Sequence, residues 1–269
     1  MRKQGKFLLF DNTAEFATFL DGITVSRRVV LVQSHHTFIP EYSMFKGTNH
    51  FALLQAMENA HIERGFAEIA QNLTTFPDGT VAVCRDLDKI PAGIKGANTG
   101  GICIENVGNF DIGKDAMTPE QRDGIVQLNA VLCRKFSLTP STNSIVYHHW
   151  YDLNTGVRTN GTGVTKTCPG TSFFGGNRVE DAAANFVPLI EAALTGLAPV
   201  VAPATASQGA FEVTATSLNV RIAPDGNAKV IKQLFRGVHV DTFESSGDWM
   251  RIHATEQQWA SNRFLTALA

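Results

Sequence analysis

Two histidine pairs and one cysteine carry the most specific chemistry in this sequence. The apolar run Val29-Val30-Leu31-Val32 leads through Gln33-Ser34 into His35-His36-Thr37, and Tyr147 leads into His148-His149-Trp150. Lys166-Thr167-Cys168-Pro169-Gly170 closes a glycine- and threonine-rich loop soon after the second pair. Two imidazoles and one thiolate form an ordinary ligand set for a catalytic Zn²⁺ whose fourth position stays open. Neighbouring residues in an extended strand point to opposite faces, so one histidine of each pair is expected to reach a shared ion. One further group suits charge stabilisation: Lys166, a cation two residues before Cys168.

The elements that must position these residues follow from periodicity and capping. Residues 12–21 space their apolar side chains helically, with Asn12 as N-cap and Gly22 as the stop. The β-branched run at 28–34 reads as a buried strand with His35 and His36 at its C-terminal end, the usual place for a ligand site in an α/β sheet. A helix is expected from Thr48 to about Arg64, with Leu53, Leu54, Met57 and Ala60 on its apolar face. His50 and His61 flank that stretch and are given surface or supporting roles. Gln71–Phe76 and Thr80–Cys84 alternate around Pro77-Asp78-Gly79 as a hairpin, and Thr99–Val107 forms another strand. Thr118-Pro119-Glu120-Gln121 predicts a helix start with a capping box, running to about Phe136. A short strand over Ser144–Tyr147 delivers His148, and one helix over Asn177–Leu194 covers the sheet.

Composition bounds the function classes. The 269 residues are 43% hydrophobic and 18% charged, with a net charge of −2. This describes an ordinary globular protein without the basic footprint of a nucleic-acid binder. No apolar run approaches the ~20 residues of a membrane span. The first residues are basic and then briefly apolar, without the apolar core and cleavage site of a signal peptide. Synthesis in the cytoplasm is therefore expected, with any cell-wall action following release or delivery by another system. The four cysteines, Cys84, Cys103, Cys133 and Cys168, form no C-x-x-C pair and make a poor disulfide framework. The first three read as buried structural thiols.

Four blocks in order, His35-His36-Thr37, Pro77-Asp78-Gly79-Thr80-Val81, Gly101-Ile102-Cys103-Ile104-Glu105, and His148-His149 with Lys166-x-Cys168-Pro169-Gly170, resemble the zinc-dependent N-acetylmuramoyl-L-alanine amidases. That family includes phage-lysozyme amidases and animal peptidoglycan-recognition proteins. The resemblance covers roughly residues 25–195. It implies that His35, His148 and Cys168 hold Zn²⁺, that Glu105 acts as base, and that Lys166 supports the developing oxyanion, while His36 and His149 pack or support. Two departures stand out. The loop Asp152–Thr165 is longer than in compact members. The tyrosine that some members carry before the Asp-Gly hairpin is absent from Glu68-Ile69-Ala70-Gln71-Asn72, which throws more weight on Glu105 and leaves Glu68 as the next base to consider.

Residues 196–210, with Pro199 and Pro203 and no charge, read as a semi-extended linker. Beyond it, short strands at Ser217–Arg221, Val230–Phe235, Val238–Phe243, Trp249–His253 and Gln258–Ala260 are separated by turns. Leu218-Asn219-Val220-Arg221-x-x-Pro224, Gly247-Asp248-Trp249-Met250-Arg251-Ile252 and Trp259-Ala260-Ser261-x-x-Phe264-Leu265 resemble bacterial SH3-like domains, which bind wall components or adapt their owner to a partner. Trp249 and Trp259 are read first as barrel core residues. The expected architecture is thus α/β: an amidase domain over 1–195 with a central mixed β-sheet flanked by helices, the linker, and an all-β SH3-like barrel over 211–269. The expected function is zinc-dependent hydrolysis of the amide between N-acetylmuramic acid and L-alanine in peptidoglycan. The alternatives are non-catalytic peptidoglycan binding, or cleavage of soluble muropeptides in wall recycling.

Overall fold

The computed structural model describes residues 1–196, 207–253 and 258–268. The chain divides into two compact units, Met1–Leu197 and Ala198–Ala269. In the first, the elements run β1 (Arg2–Gln4), β2 (Phe7–Phe10), α1 (Thr13–Asp21), β3 (Leu31–His36), α2 (His50–Glu63), β4 (Leu73–Thr75), β5 (Val81–Val83), β6 (Gly101–Asn106), α3 (Pro119–Phe136), β7 (Ile145–Tyr147), α4 (Val179–Asn185) and α5 (Val187–Gly196). Seven strands form one mixed sheet in the order β1-β2-β5-β4-β6-β3-β7. β3 is parallel to β6 and to β7, and β4 is parallel to β6, whereas the β4–β5, β5–β2 and β2–β1 pairs are antiparallel.

Local chemistry explains most boundaries. Asn12 accepts the Glu15 amide at 2.9 Å and Gly22 closes α1. Thr118 caps α3 by accepting the Gln121 amide at 3.2 Å, with Pro119 in the first turn. The reciprocal half of the expected capping box is not made. Gln121 is fully buried: its Oε1, which would complete the box, accepts the Tyr42 hydroxyl, and its Nε2 donates to Thr75 Oγ1 at 3.1 Å and Val107 O at 3.0 Å, satisfying groups at the sheet end. The Tyr42 hydroxyl accepts the Thr118 amide in its place. The single helix expected over 177–194 is broken into α4 and α5 at Phe186. Pro188 has no N–H to continue the ladder and disfavours helical backbone at the residue before it. β3 starts three residues later than expected and takes in both histidines. The N-terminal stretch is a hairpin that extends the sheet, with exposed Arg2 and Lys3 guarding its edge.

The two faces of the sheet are covered differently. On one, Val32, Ile102, Ile104, Leu73, Val81 and Ile145 pack with Phe16 and Leu20 of α1, Ile125 and Leu128 of α3, and Phe186 and Ile190. On the other, Leu9, Ala82 and Cys84 pack with Leu53, Leu54 and Met57 of α2. By strand alternation Gln33, His35, Cys103 and Glu105 project from this second face.

The second unit is all-β. Its strands are β8 (Gly209–Val213), β9 (Ser217–Arg221), β10 (Val230–Phe235), β11 (His239–Thr242), β12 (Glu244–Ser246), β13 (Trp249–Arg251), β14 (Trp259–Ser261) and β15 (Leu265–Ala267). They form one sheet ordered β10-β9-β14-β13-β12 and another ordered β11-β8-β15. Val213, Leu218, Val220, Ile252 and Ala260 make the core. Trp259 is buried, and so is Arg251, whose Nε donates to Glu244 at 2.9 Å. Most of the linker expected over 196–210 lies outside the described residues. Its C-terminal end is corrected: Gly209 and Ala210 belong to β8, paired with Thr242 and Asp241. Among the described residues no helix is long and apolar enough to cross a membrane.

Candidate metal centre and active cleft

Parallel pairing decides which side chains meet. His35 is in register with Glu105 and Gln33 with Cys103 across β3 and β6, so all four share a face. Ser34 is in register with Tyr147, which places His148 just beyond the end of β7 in a short 3₁₀ turn. His35 Nδ1 lies 3.2 Å from His148 Nδ1 and 3.5 Å from Cys168 Sγ. One donor atom from each residue falls within 4.8 Å of the others, and the three are only 2%, 8% and 6% exposed. Tetrahedral Zn²⁺ with ordinary Zn–N and Zn–S bonds needs N···N and N···S separations of roughly 3.3 and 3.6 Å. The donor set fits that ion.

Electrostatics agree with the donor geometry. Burial, reinforced by the charges of His148 and Lys166, holds the His35 pKa well below its ordinary value. Burial, with Lys166 adding to it, brings His148 down to about 4. Both imidazoles are therefore neutral near pH 7, with a lone pair to offer. Burial, and next the Glu105 charge, pushes the Cys168 thiol well up. A thiolate at this depth calls for a compensating cation.

The segment that delivers Cys168 is pinned from two sides. The His149 amide donates to Cys168 O at 2.7 Å, and its Nδ1 donates to Lys166 O at 2.6 Å. On the other side Thr167 Oγ1 and the Thr171 amide donate to Asp111, each at 3.0 Å. Gly170, at φ 118°, packs against the Phe110 carbonyl so closely that a Cβ would overlap it. The long loop before this segment is itself folded. Asp152 accepts amides from Thr155 at 2.8 Å and Val164 at 3.0 Å, and Arg158 sits 5.0 Å over the Trp150 ring.

The three donors open into a cleft of ≈ 720 Å³ that also holds Glu105 and Lys166. Met57, Ala60, His61 and Arg64 of α2 and its C-cap form the facing wall, with Phe38 and Ile39 at the mouth. Glu105 Oε1 is 3.8 Å from His35 Nδ1, and the side chain is 18% exposed. Burial pushes its pKa up to about 8, against the pull of Lys166 and Arg64. Its Oε2 is buried without a hydrogen-bond partner. A smaller cavity of ≈ 510 Å³ adjoins the cleft at Phe66, Ala92, Gly93 and His148.

The family profile for N-acetylmuramoyl-L-alanine amidase matches residues 26–171, more than half of the chain. The chain belongs to that family. The amidase match opens just before β3 and closes just after Cys168, so it takes in every residue of the donor set. Similar solved structures include Drosophila PGRP-LB, 17% identical over 60% of this chain and 84% of that one, with a TM-score of 0.46. The amidase LysC from Clostridium intestinale URNW is 20% identical over 60% and 87%, with a TM-score of 0.41. The endolysin amidase LysCS from the same source is 22% identical over 43% and 68%, with a TM-score of 0.36. No curated protein matches the chain.

Other residues of the amidase unit sort by what they touch. His36 Nδ1 accepts the Phe110 amide at 3.1 Å and its ring packs between Phe38 and Phe110. His50 is buried and donates to Asp78 at 2.8 Å, tying α2 to the hairpin turn. His61 Nδ1 accepts the Ala70 amide at 3.1 Å on the cleft wall. Glu68 stands apart from the cleft lining, 3.1 Å from Lys6 and 3.0 Å from Lys89. Burial opposes ionisation there, but these lysines outweigh it and hold the carboxyl below its ordinary range, a poor setting for a base. Sequence reasoning missed Arg64 on the cleft wall and the pair Gln33 and Gly93 behind His35. Gln33 did leave a signal: a lone amide in an apolar strand, two residues from a candidate ligand and hence on its face.

Proposed function

We propose that the first unit hydrolyses the amide between N-acetylmuramic acid and the L-alanine of the peptidoglycan stem peptide, with His35, His148 and Cys168 holding Zn²⁺. The observation that carries this reading is the convergence of two neutral imidazoles and a thiol on one point of a cleft that also presents Glu105 and Lys166. Zn²⁺, when bound, supplies Lewis acidity toward the scissile carbonyl and toward water. Glu105 takes the proton of the attacking water and returns it to the leaving nitrogen. It needs its carboxylate form to do so, and each positive charge gathered near His35 favours that form. Lys166, on the rim, faces the carbonyl oxygen as negative charge develops there. His149 and Asp111 hold the Lys166–Cys168 segment so that Cys168 faces the ion while Lys166 faces the substrate. The all-β unit is assigned an SH3-like role, binding wall polymer or an adaptor and keeping the hydrolase at its substrate.

Mass spectrometry of peptidoglycan digested by the full chain tests this. The expected products are intact glycan strands and peptides with a free L-alanine N-terminus. Glycosidic or peptide–peptide cleavage would overturn the assignment, and binding without cleavage would make the protein a sensor on the same fold.

A further inference from the structure

Behind the donor cluster, on the side of His35 that faces away from Cys168, two polar atoms are buried without hydrogen-bond partners: His35 Nε2 and Gln33 Oε1. Gln33 is fully buried in β3, two residues before His35 and therefore on the same face. Its amide orientation is set by the other end of the group. Gln33 Nε2 donates to Ala97 O at 2.9 Å, so the acceptor oxygen turns the other way. Both unpartnered atoms border Gly93. A Cβ on that residue would lie 3.0 Å from His35 Nε2, 2.6 Å from Cys103 Sγ, and closer still to Gln33 Oε1. The glycine is held in place, because its amide and that of Ile94 both donate to Asn98 Oδ1 at 2.9 Å.

We propose that Gln33 and Gly93 are positioning residues for the metal centre. Gln33 Oε1 accepts a hydrogen bond from His35 Nε2–H through one bridging water, which fixes the tautomer that leaves the Nδ1 lone pair for the ion. Gly93 keeps the space behind the ring free for that contact. The inference rests on the metal-binding reading of His35. An imidazole that binds metal through one nitrogen has its proton on the other, and a buried carbonyl acceptor both stabilises that proton and stops rotation of the ring. Cys103 Sγ reaches the same point but is a weak acceptor.

The test uses the full chain, with Zn²⁺ affinity measured by chelator competition and His35 observed by ¹⁵N NMR in the zinc-free protein. Wild type is expected to show His35 protonated at Nε2. Gln33→Leu should bind Zn²⁺ about 10–100-fold more weakly, the usual effect of losing such a partner, and should show mixed His35 tautomers. Gln33→Glu, which keeps an acceptor, should bind within a few-fold of wild type. Gly93→Ala, which intrudes on the same space without touching the amide, should also weaken binding. Should Gln33→Leu fail to fold, the wild-type tautomer and Gly93→Ala still decide the matter. Wild-type affinity in Gln33→Leu, or His35 protonated at Nδ1 in the zinc-free protein, would overturn the proposal and leave the metal centre standing. A wild type that binds no Zn²⁺ would remove both.

Discussion

Glu105→Gln should stabilise the zinc-free protein and abolish most of the turnover of the zinc-bound one, and the size of the first effect follows from burial. The Glu105 pKa is raised from 4.5 to about 8. In the unfolded chain the carboxyl ionises near its ordinary value, whereas the folded chain keeps the proton to higher pH. The folded state therefore binds more protons between these values, and stability falls as pH rises through that window. At 1.36 kcal/mol per pKa unit, the wild type is penalised by about 3 kcal/mol at pH 7 and about 5 kcal/mol above pH 8. These are upper values, since 18% of the side chain meets water. A glutamine escapes this penalty. Urea denaturation of both zinc-free proteins should show equal stability near pH 4 and a growing advantage for the variant toward pH 8. Added Zn²⁺ should shrink the difference, because a cation beside the carboxylate favours ionisation. The same variant should retain zinc and lose the ~10²–10⁴-fold that a general base contributes. A pH-independent stability difference would refute the burial argument. Near-wild-type turnover with zinc bound would place the base elsewhere.

Four further outcomes are expected. Elemental analysis should find about one Zn²⁺ per chain, and Cys168→Ser, which swaps a thiolate for a poor ligand, should release it at lower chelator concentration; a zinc-free wild type that still digests wall would refute the donor set. Lys166→Ala should keep its zinc and lose ~10²–10³ in kcat, as on removing one oxyanion donor; an unchanged kcat would leave it a rim residue. Burial raises the Asp78 pKa, but hydrogen bonds from His50 and Thr80 outweigh that and depress it, so the stability it adds is present above the ordinary ~3.9 and is lost as pH falls further. Asp78→Ala should thus cost more stability in urea melts at pH 7 than in acid, and an equal cost at both would refute this. A chain ending near Leu197 should fold alone and cleave soluble muropeptides, since the contacts divide there; its aggregation would show that the second unit completes one core.

What the sequence determined by itself was local. Asn12 and Gly22 bound α1, Thr118-Pro119 starts α3, and the hairpin turns at Pro77-Asp78-Gly79. Each of these depends on residues within a turn or two, where capping and φ/ψ preference act. The break at Phe186 was equally local, and Pro188 carried the signal. The order of the four blocks pointed to the family, and strand alternation separates His35 from His36 in β3, whereas His148 and His149 lie in a 3₁₀ turn where that rule does not act. Tertiary structure decided what meets. The alignment of His35 with Glu105 depends on β3 lying beside β6, a consequence of burying both faces of the sheet. Gln121 leaves the capping box because its amide is committed to buried groups at Thr75, Val107 and Tyr42, while the Tyr42 hydroxyl accepts the Thr118 N–H. Gly93 reaches the back of His35 from 58 positions away in sequence. No periodicity encodes such a meeting, because it follows from strand order and register, which the packing of the whole chain selects.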